Sequence, residues 1–217
     1  MKMLPRPLIK LGFYLLYHHL AWTYEAVAWS VSFGQWAKWR RLALRFIRPG
    51  PILELAYGTG ELYIDMMEVG YRPLGIDLSP YMARLASRKL RQQGWPLALS
   101  RAQAQNLPFP SDYFANIIAT FPTDYIFAPA TLKEIQRVLR SPQEGQSAGR
   151  LIVVLEGQLQ GPGPLRSFIE WLYKITDQHD FPPIKPLPRF AEHQLQVRME
   201  WVEHHGVRAR MLIAEKL

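Results

Sequence analysis

The stretch Ile52-Leu53-Glu54-Leu55-Ala56-Tyr57-Gly58-Thr59-Gly60 decides how the rest of the chain is read. Its first five residues form a short apolar run carrying one acid, Glu54, which predicts a buried strand over 52–56. Gly58 and Gly60 follow, and glycine lets a backbone turn tightly and approach a ligand closely. The apolar spacing of Leu62, Ile64, Met66, Met67 and Val69 predicts a short helix over 61–69. A strand, a glycine turn and a helix in that order place unpaired helix-start amides at the strand's carboxyl end.

Downstream the same alternation continues. Strands are expected at 73–78, 96–100, 114–121 and 151–156, and helices at 80–93 and 129–140. Ser79-Pro80 is a helix start, because serine can cap free amides and proline fits the first turn. Gly94 and Pro96 mark that helix's end. Alternating strands and helices imply a mostly parallel sheet covered on both faces, an α/β architecture. Proline and glycine then punctuate 157–190 around one helix near 165–177. Residues 194–204 and 207–216 alternate about a turn at His205-Gly206, which reads as a terminal hairpin. His204 and His205 belong to that solvated turn.

Asp77 closes the second expected strand, 17 residues after Gly60. In an open parallel sheet that position lies beside the first strand's carboxyl end, where ligands bind. A carboxylate there can accept from both hydroxyls of a ribose, so the pair reads as a nucleoside site. A dinucleotide fingerprint needs a third small residue, and its place falls on Tyr63 or Glu61. No phosphate-binding P-loop occurs.

Charge and cysteine content bound the functional classes. The 217 residues include no cysteine, which excludes disulfides, thiolate metal sites and thiol catalysis. The net charge of +8 is uneven. Residues 1–50 hold eight basic residues against Glu25, whereas residues 51–217 carry only +1. The amino-terminal arm is also aromatic: Leu8, Leu15, Trp22, Trp29 and Trp36 recur every seven residues. His18, His19, Thr23 and Glu25 interrupt its apolar run, which argues against a spanning helix or a cleaved leader. Two readings of the stripe stand: it packs on the protein's own core, or it lies in a membrane interface. Ser32-Phe33-Gly34 breaks the helix, and a second helix is expected at about 35–48.

Four stretches together resemble the S-adenosylmethionine-dependent methyltransferases of the Rossmann-like class, in the branch of quinone and lipid methyltransferases. They are ELAYGTG (54–60), GIDLSPYMARLA (75–86), AQNLPFPSDYF (104–114), and EIQRVLR (134–140) with GRLIVV (149–154). The resemblance covers roughly residues 50–156. It implies a three-layer sandwich around a mostly parallel seven-stranded sheet, with a carboxy-terminal antiparallel hairpin and an amino-terminal helical cap. One structural domain is expected, with the cap at 1–48, the cofactor-binding body at 49–217 and an acceptor-side insertion at 157–195.

The resemblance also implies S-adenosylmethionine as cofactor, S-adenosylhomocysteine as product, and no metal. Glu54 would be among the cofactor-binding residues, and Gly58 and Gly60, with the backbone of Ala56 and Tyr57, would lie against the methionine part. Asp77 would bind the ribose, Leu78 and Met82 would flank the adenine, and Gln103 and Ala104 would meet its edge. Thr120, Phe121 and Pro122 would face the transferred methyl group. Three positions depart from the family's usual residues. Ala56 replaces a glycine, which is harmless only if its backbone torsion is ordinary. Gln103 and Ala115 each replace an aspartate.

A general base is needed only if the acceptor must lose a proton; Tyr24, His18, His179 and Tyr125 are candidates, with Tyr24 better suited to a lid. The aromatic content of the arm and the insertion (Phe13, Tyr14, Tyr17, Trp22, Trp29, Phe168, Trp171, Tyr173, Phe181) implies an apolar, lipid- or quinone-like acceptor. The basic arm suggests peripheral contact of residues 1–48 with an anionic membrane, on the cytoplasmic side. RNA methylation is a second reading, supported by the arm and opposed by the nearly neutral body. A non-catalytic binding protein would follow if the three departures abolish turnover.

Overall fold

The computed structural model describes residues 35–158 and 187–217. Its centre is one seven-stranded sheet with strand order β3-β2-β1-β4-β5-β7-β6. The strands are β1 (Ile52–Leu55), β2 (Leu74–Asp77), β3 (Leu99–Arg101), β4 (Asn116–Thr120), β5 (Arg150–Gly157), β6 (Leu195–His204) and β7 (Val207–Lys216). β1 to β5 pair in parallel, and β7 enters antiparallel between β5 and β6. The helices are α1 (Gln35–Arg41), α2 (Glu61–Glu68), α3 (Pro80–Gln92), α4 (Pro129–Val138) and α5 (Leu187–Glu192). One-turn 3-10 helices follow α1 at Leu42–Phe46 and precede α4 at Asp124–Phe127. The expected α/β architecture, with its parallel sheet and terminal hairpin, is the one observed.

Alternation along the strands explains why both faces are covered. Leu53, Leu55, Ile117, Leu151 and Val153 pack on one face with Leu132, Ile135 and Phe190. Ile52, Ile118, Ile152, Val154 and Met211 pack on the other with Trp39, Leu42, Leu62 and Met66. Ser79 caps α3 as expected, its hydroxyl accepting from the Met82 amide. The first four strands are each shorter than expected, β3 and β4 by the most at their starts. β3 starts at Leu99 rather than at Pro96, which has no N–H to give a ladder. β4 starts at Asn116, because the Phe114 amide donates to Val138 and the Ala115 amide to Pro51.

Residues 35–46 follow the core-packing reading of the arm. Trp39 is buried and lies flat on Gly157, where an added Cβ would fall 1.9 Å from its ring. The stripe at 8, 15, 22 and 29, and the helix near 165–177, lie outside the described residues. No helix among the described residues is long and apolar enough to cross a membrane.

Candidate cofactor and acceptor site

The carboxyl ends of β1, β2, β4 and β5 form one rim, and its halves differ in chemistry. At the β1–β2 half, Asp77 is 8% exposed and held by two backbone donors. The Gly58 amide donates to its Oδ2 at 2.8 Å, and the Ser79 amide to its Oδ1 at 2.7 Å. Each carboxylate oxygen keeps a lone pair for a further donor. Burial raises the Asp77 carboxyl above its ordinary range, and the hydrogen bonds from the Ser79 and Gly58 amides work against that rise.

Beneath the same loop lies Glu54, 2% exposed, with its Oε2 unpartnered among the described residues. Desolvation drives this carboxyl well above the ordinary carboxylate value. Arg40 opposes the shift, while Asp77 and Asp65 add to it. The buried Tyr57 hydroxyl also lacks a partner among the described residues. Its pKa is pushed up to about 12 by burial and by the charges of Asp77 and Glu54. An orphaned buried carboxylate oxygen beside an anchored aspartate suits a ligand that brings both a cation and hydroxyls.

The turn between β1 and α2 is left-handed at three positions: Ala56 at φ +54°, Gly58 at +56° and Gly60 at +82°. A Cβ on Gly60 would meet the Ala86 Cβ at 3.0 Å, so the loop hugs α3. Ala56 therefore does not have the ordinary torsion that would make its methyl harmless. Its side chain is exposed and unobstructed, but an L-residue there carries about 1–2 kcal/mol of strain. Strain of that kind clusters where a chain must present its backbone to a ligand.

Beyond β3, the adenine-edge candidates Gln103 and Ala104 sit in a turn closed by the Asn106 amide donating to the Gln103 carbonyl. Glu134 and Arg137 on α4 fix the segment that follows. Glu134 Oε2 accepts from the Leu107 amide at 2.7 Å. Arg137 donates to the carbonyls of Leu107 and Phe109 at 2.9 and 2.8 Å, and grips Glu134. That contact explains why the LPF and EIQRVLR stretches occur together. Met82 is buried beside the loop, and Leu78 is 54% exposed at the rim. Ala115 is buried against Gly50, whose added Cβ would lie 2.7 Å from it.

At the β4–β5 half the rim is apolar. Phe121 follows β4 in a left-handed conformation, φ +49°, a rare state for a bulky residue. Its ring lies 4.2 Å from Trp36 and 6.3 Å from Trp39, centroid to centroid. Thr120 is half-buried and Pro122 buried beside it. Tyr125 stands in the 3-10 turn beyond and packs against the opposite core. The other base candidates, Tyr24, His18 and His179, lie outside the described residues, as do the nine aromatics of the arm and insertion. His204 and His205 sit exposed at the hairpin turn, rings 4.0 Å apart.

Sequence reasoning missed the role of α1. Arg40 donates to Asp65 at 2.7 Å and to Glu61 at 3.2 Å. Arg41 reaches Asp65 and Glu68, and Arg48 pairs with Glu215. The only sequence signal was acids on α2 and bases on α1, which spacing alone cannot pair.

A methyltransferase-domain family profile matches residues 52–142. The chain is 33% identical over 134 residues to a demethylmenaquinone methyltransferase of Symbiobacterium thermophilum, covering 58% of this chain and 53% of that protein. With a demethylmenaquinone methyltransferase of Thermus thermophilus it shares 30% over 173 residues, covering 77% and 74%. It thus spans about half the length of the first relative and about three quarters of the second. A SAM-dependent methyltransferase structure from Methanosarcina mazei superposes with TM-score 0.56 at 19% identity, over 81% of this chain and 97% of that one, and shares the fold.

Proposed function

The chain belongs to the S-adenosylmethionine-dependent methyltransferases of the quinone-methyltransferase branch, and from that premise we propose that it methylates an apolar, quinone-like small molecule. The observation that carries the reading is Asp77, buried, doubly anchored by backbone amides and open for ribose hydroxyls beside the Gly58 turn. The site fits the cofactor's chemistry: the orphaned Glu54 oxygen suits its ammonium, and Asp77 suits its ribose. Ala56, Tyr57, Gly58 and Gly60 would lie along the methionine part; Leu78 and Met82 would flank the adenine; Gln103 and Ala104 would meet its edge. When bound, S-adenosylmethionine supplies a methyl group made electrophilic by the positively charged sulfonium.

The chain's own residues align and dry the site. Thr120, Phe121 and Pro122 would border the reacting carbon, with Trp36 and Phe121 offering an apolar wall for a flat ring. Holding two reactants in line lowers a barrier by as much as about 7–11 kcal/mol, so positioning can dominate without a strong base. The names of the relatives support a quinone-like acceptor, and such a molecule dissolves in a bilayer. A peripheral position at a membrane surface would bring the enzyme to such an acceptor. The test is transfer of labelled methyl from S-adenosylmethionine to a reduced demethylated naphthoquinone in detergent micelles. Label in the quinone is expected; cofactor binding without label in any quinone would overturn the acceptor assignment.

A further inference from the structure

A run of positive charge without acidic neighbours in sequence lies on α3. No acidic residue occurs between Asp77 and Asp112, whereas Arg84, Arg88, Lys89, Arg91 and Arg101 all do. Lys89 turns inward to Glu61. Arg84, Arg88 and Arg91 are exposed and follow helical spacing along one outer stripe. Among the described residues none of the three has a carboxylate partner. Arg101, at the end of β3, extends the stripe at the rim, where its Nε donates to the Leu78 carbonyl. Exposed Arg72 continues it at the other end. By contrast, Arg40, Arg41 and Arg48 in the arm are tied to acids of the body.

We propose that the outer face of α3 docks on an anionic lipid surface. The inference rests on the quinone-like acceptor, because an enzyme acting on a bilayer-dissolved molecule must meet the bilayer. Three arginines over two helical turns span about 10 Å, comparable to the screening length at physiological salt, so they act on one surface together. The aromatic rings on this face favour lipid over nucleic acid. Arg84 lies 4.4 Å over Tyr81 and Arg72 lies 5.7 Å over Trp95, so each ring already carries a cation on one face. Arginine beside aromatic rings suits the headgroup level of a membrane.

The test uses the full chain, with sedimentation on phosphatidylcholine vesicles with and without phosphatidylglycerol. Binding is expected only with the anionic lipid, and it should weaken as salt rises. Joint replacement Arg84→Ala, Arg88→Ala and Arg91→Ala should lower the partition coefficient on the order of a hundredfold. It should leave the melting temperature and S-adenosylhomocysteine affinity unchanged. Joint replacement Lys2→Ala, Arg6→Ala and Lys10→Ala should have the smaller effect. The proposal is overturned if the arm variant alone loses binding, if neutral vesicles bind equally, or if no vesicle binds. It is likewise overturned if the triple α3 variant loses only affinity for an RNA oligonucleotide. Failure of the intact protein to bind S-adenosylhomocysteine would instead strike the cofactor assignment, which this experiment reads separately.

Discussion

The two halves of the strand rim are built from opposite materials on the same backbone plan. Around β1 and β2, Glu54, Tyr57 and Asp77 are buried polar groups, two of them with an atom unpartnered among the described residues. Around β4 and β5, Phe121, Trp36 and Trp39 make a ring cluster over Gly157. Each half contains one left-handed non-glycine residue, Ala56 or Phe121. The difference teaches that a single sheet edge can serve a polar ligand on one side and an apolar partner on the other. Stability should therefore come mainly from the aromatic half, and cofactor affinity from the polar half.

The sharpest way to break that division is Trp39→Ala. Removing a buried tryptophan should cost about 3–5 kcal/mol in denaturant unfolding. S-adenosylhomocysteine affinity should stay within a few-fold where the variant remains folded; a collapse of affinity with stability retained would contradict the division. Next in size is Arg137→Ala. It strands the Leu107 and Phe109 carbonyls, costing about 1–3 kcal/mol. Because that segment follows Gln103 and Ala104, affinity for S-adenosylhomocysteine should fall, while binding of a 5′-methylthioribose fragment lacking the adenine should not. Equal losses for both ligands would make Arg137 a stability residue only.

Glu54 gives a pH signature. Its folded carboxyl titrates well above the ordinary value, so between those two limits the folded protein holds a proton that the unfolded chain has released. Stability of the ligand-free protein should thus fall as pH rises through that window. Glu54→Gln should flatten the slope of melting temperature against pH, and an unchanged slope would place the titration elsewhere. The smallest effect belongs to Ala56→Gly. Relief of the left-handed strain is partly offset by glycine's greater freedom in the unfolded chain, leaving a gain of up to about 1 kcal/mol.

Much of this was legible because the signals are local. Ser79-Pro80 states where α3 starts, and the apolar runs of β1, β4 and β5 state what is buried. His205-Gly206 states where the hairpin turns. The torsion of Ala56 was not legible, since a methyl group beside two glycines fits several turn conformations. The pairing of Arg40 and Arg41 with Asp65 was hidden as well, because the partners lie 25 and 24 residues apart. Charge counting over residues 1–50 consequently assigned to the arm a surface charge that the fold partly neutralises. The exposed stripe on α3 was equally present in the sequence, but it became a surface only once the helix's buried face, with Met82, Ala86 and Leu90, was known.

The most direct test of the account is calorimetric titration of S-adenosylhomocysteine into the intact protein and into Asp77→Ala. Hydrogen bonds to a charged group contribute about 1.5–3 kcal/mol each. The wild-type protein should bind, and the variant should lose affinity by at least about tenfold per lost ribose contact at unchanged fold. Equal affinity for both proteins, or no binding by the wild type, would contradict the assignment of the polar half of the rim to the cofactor.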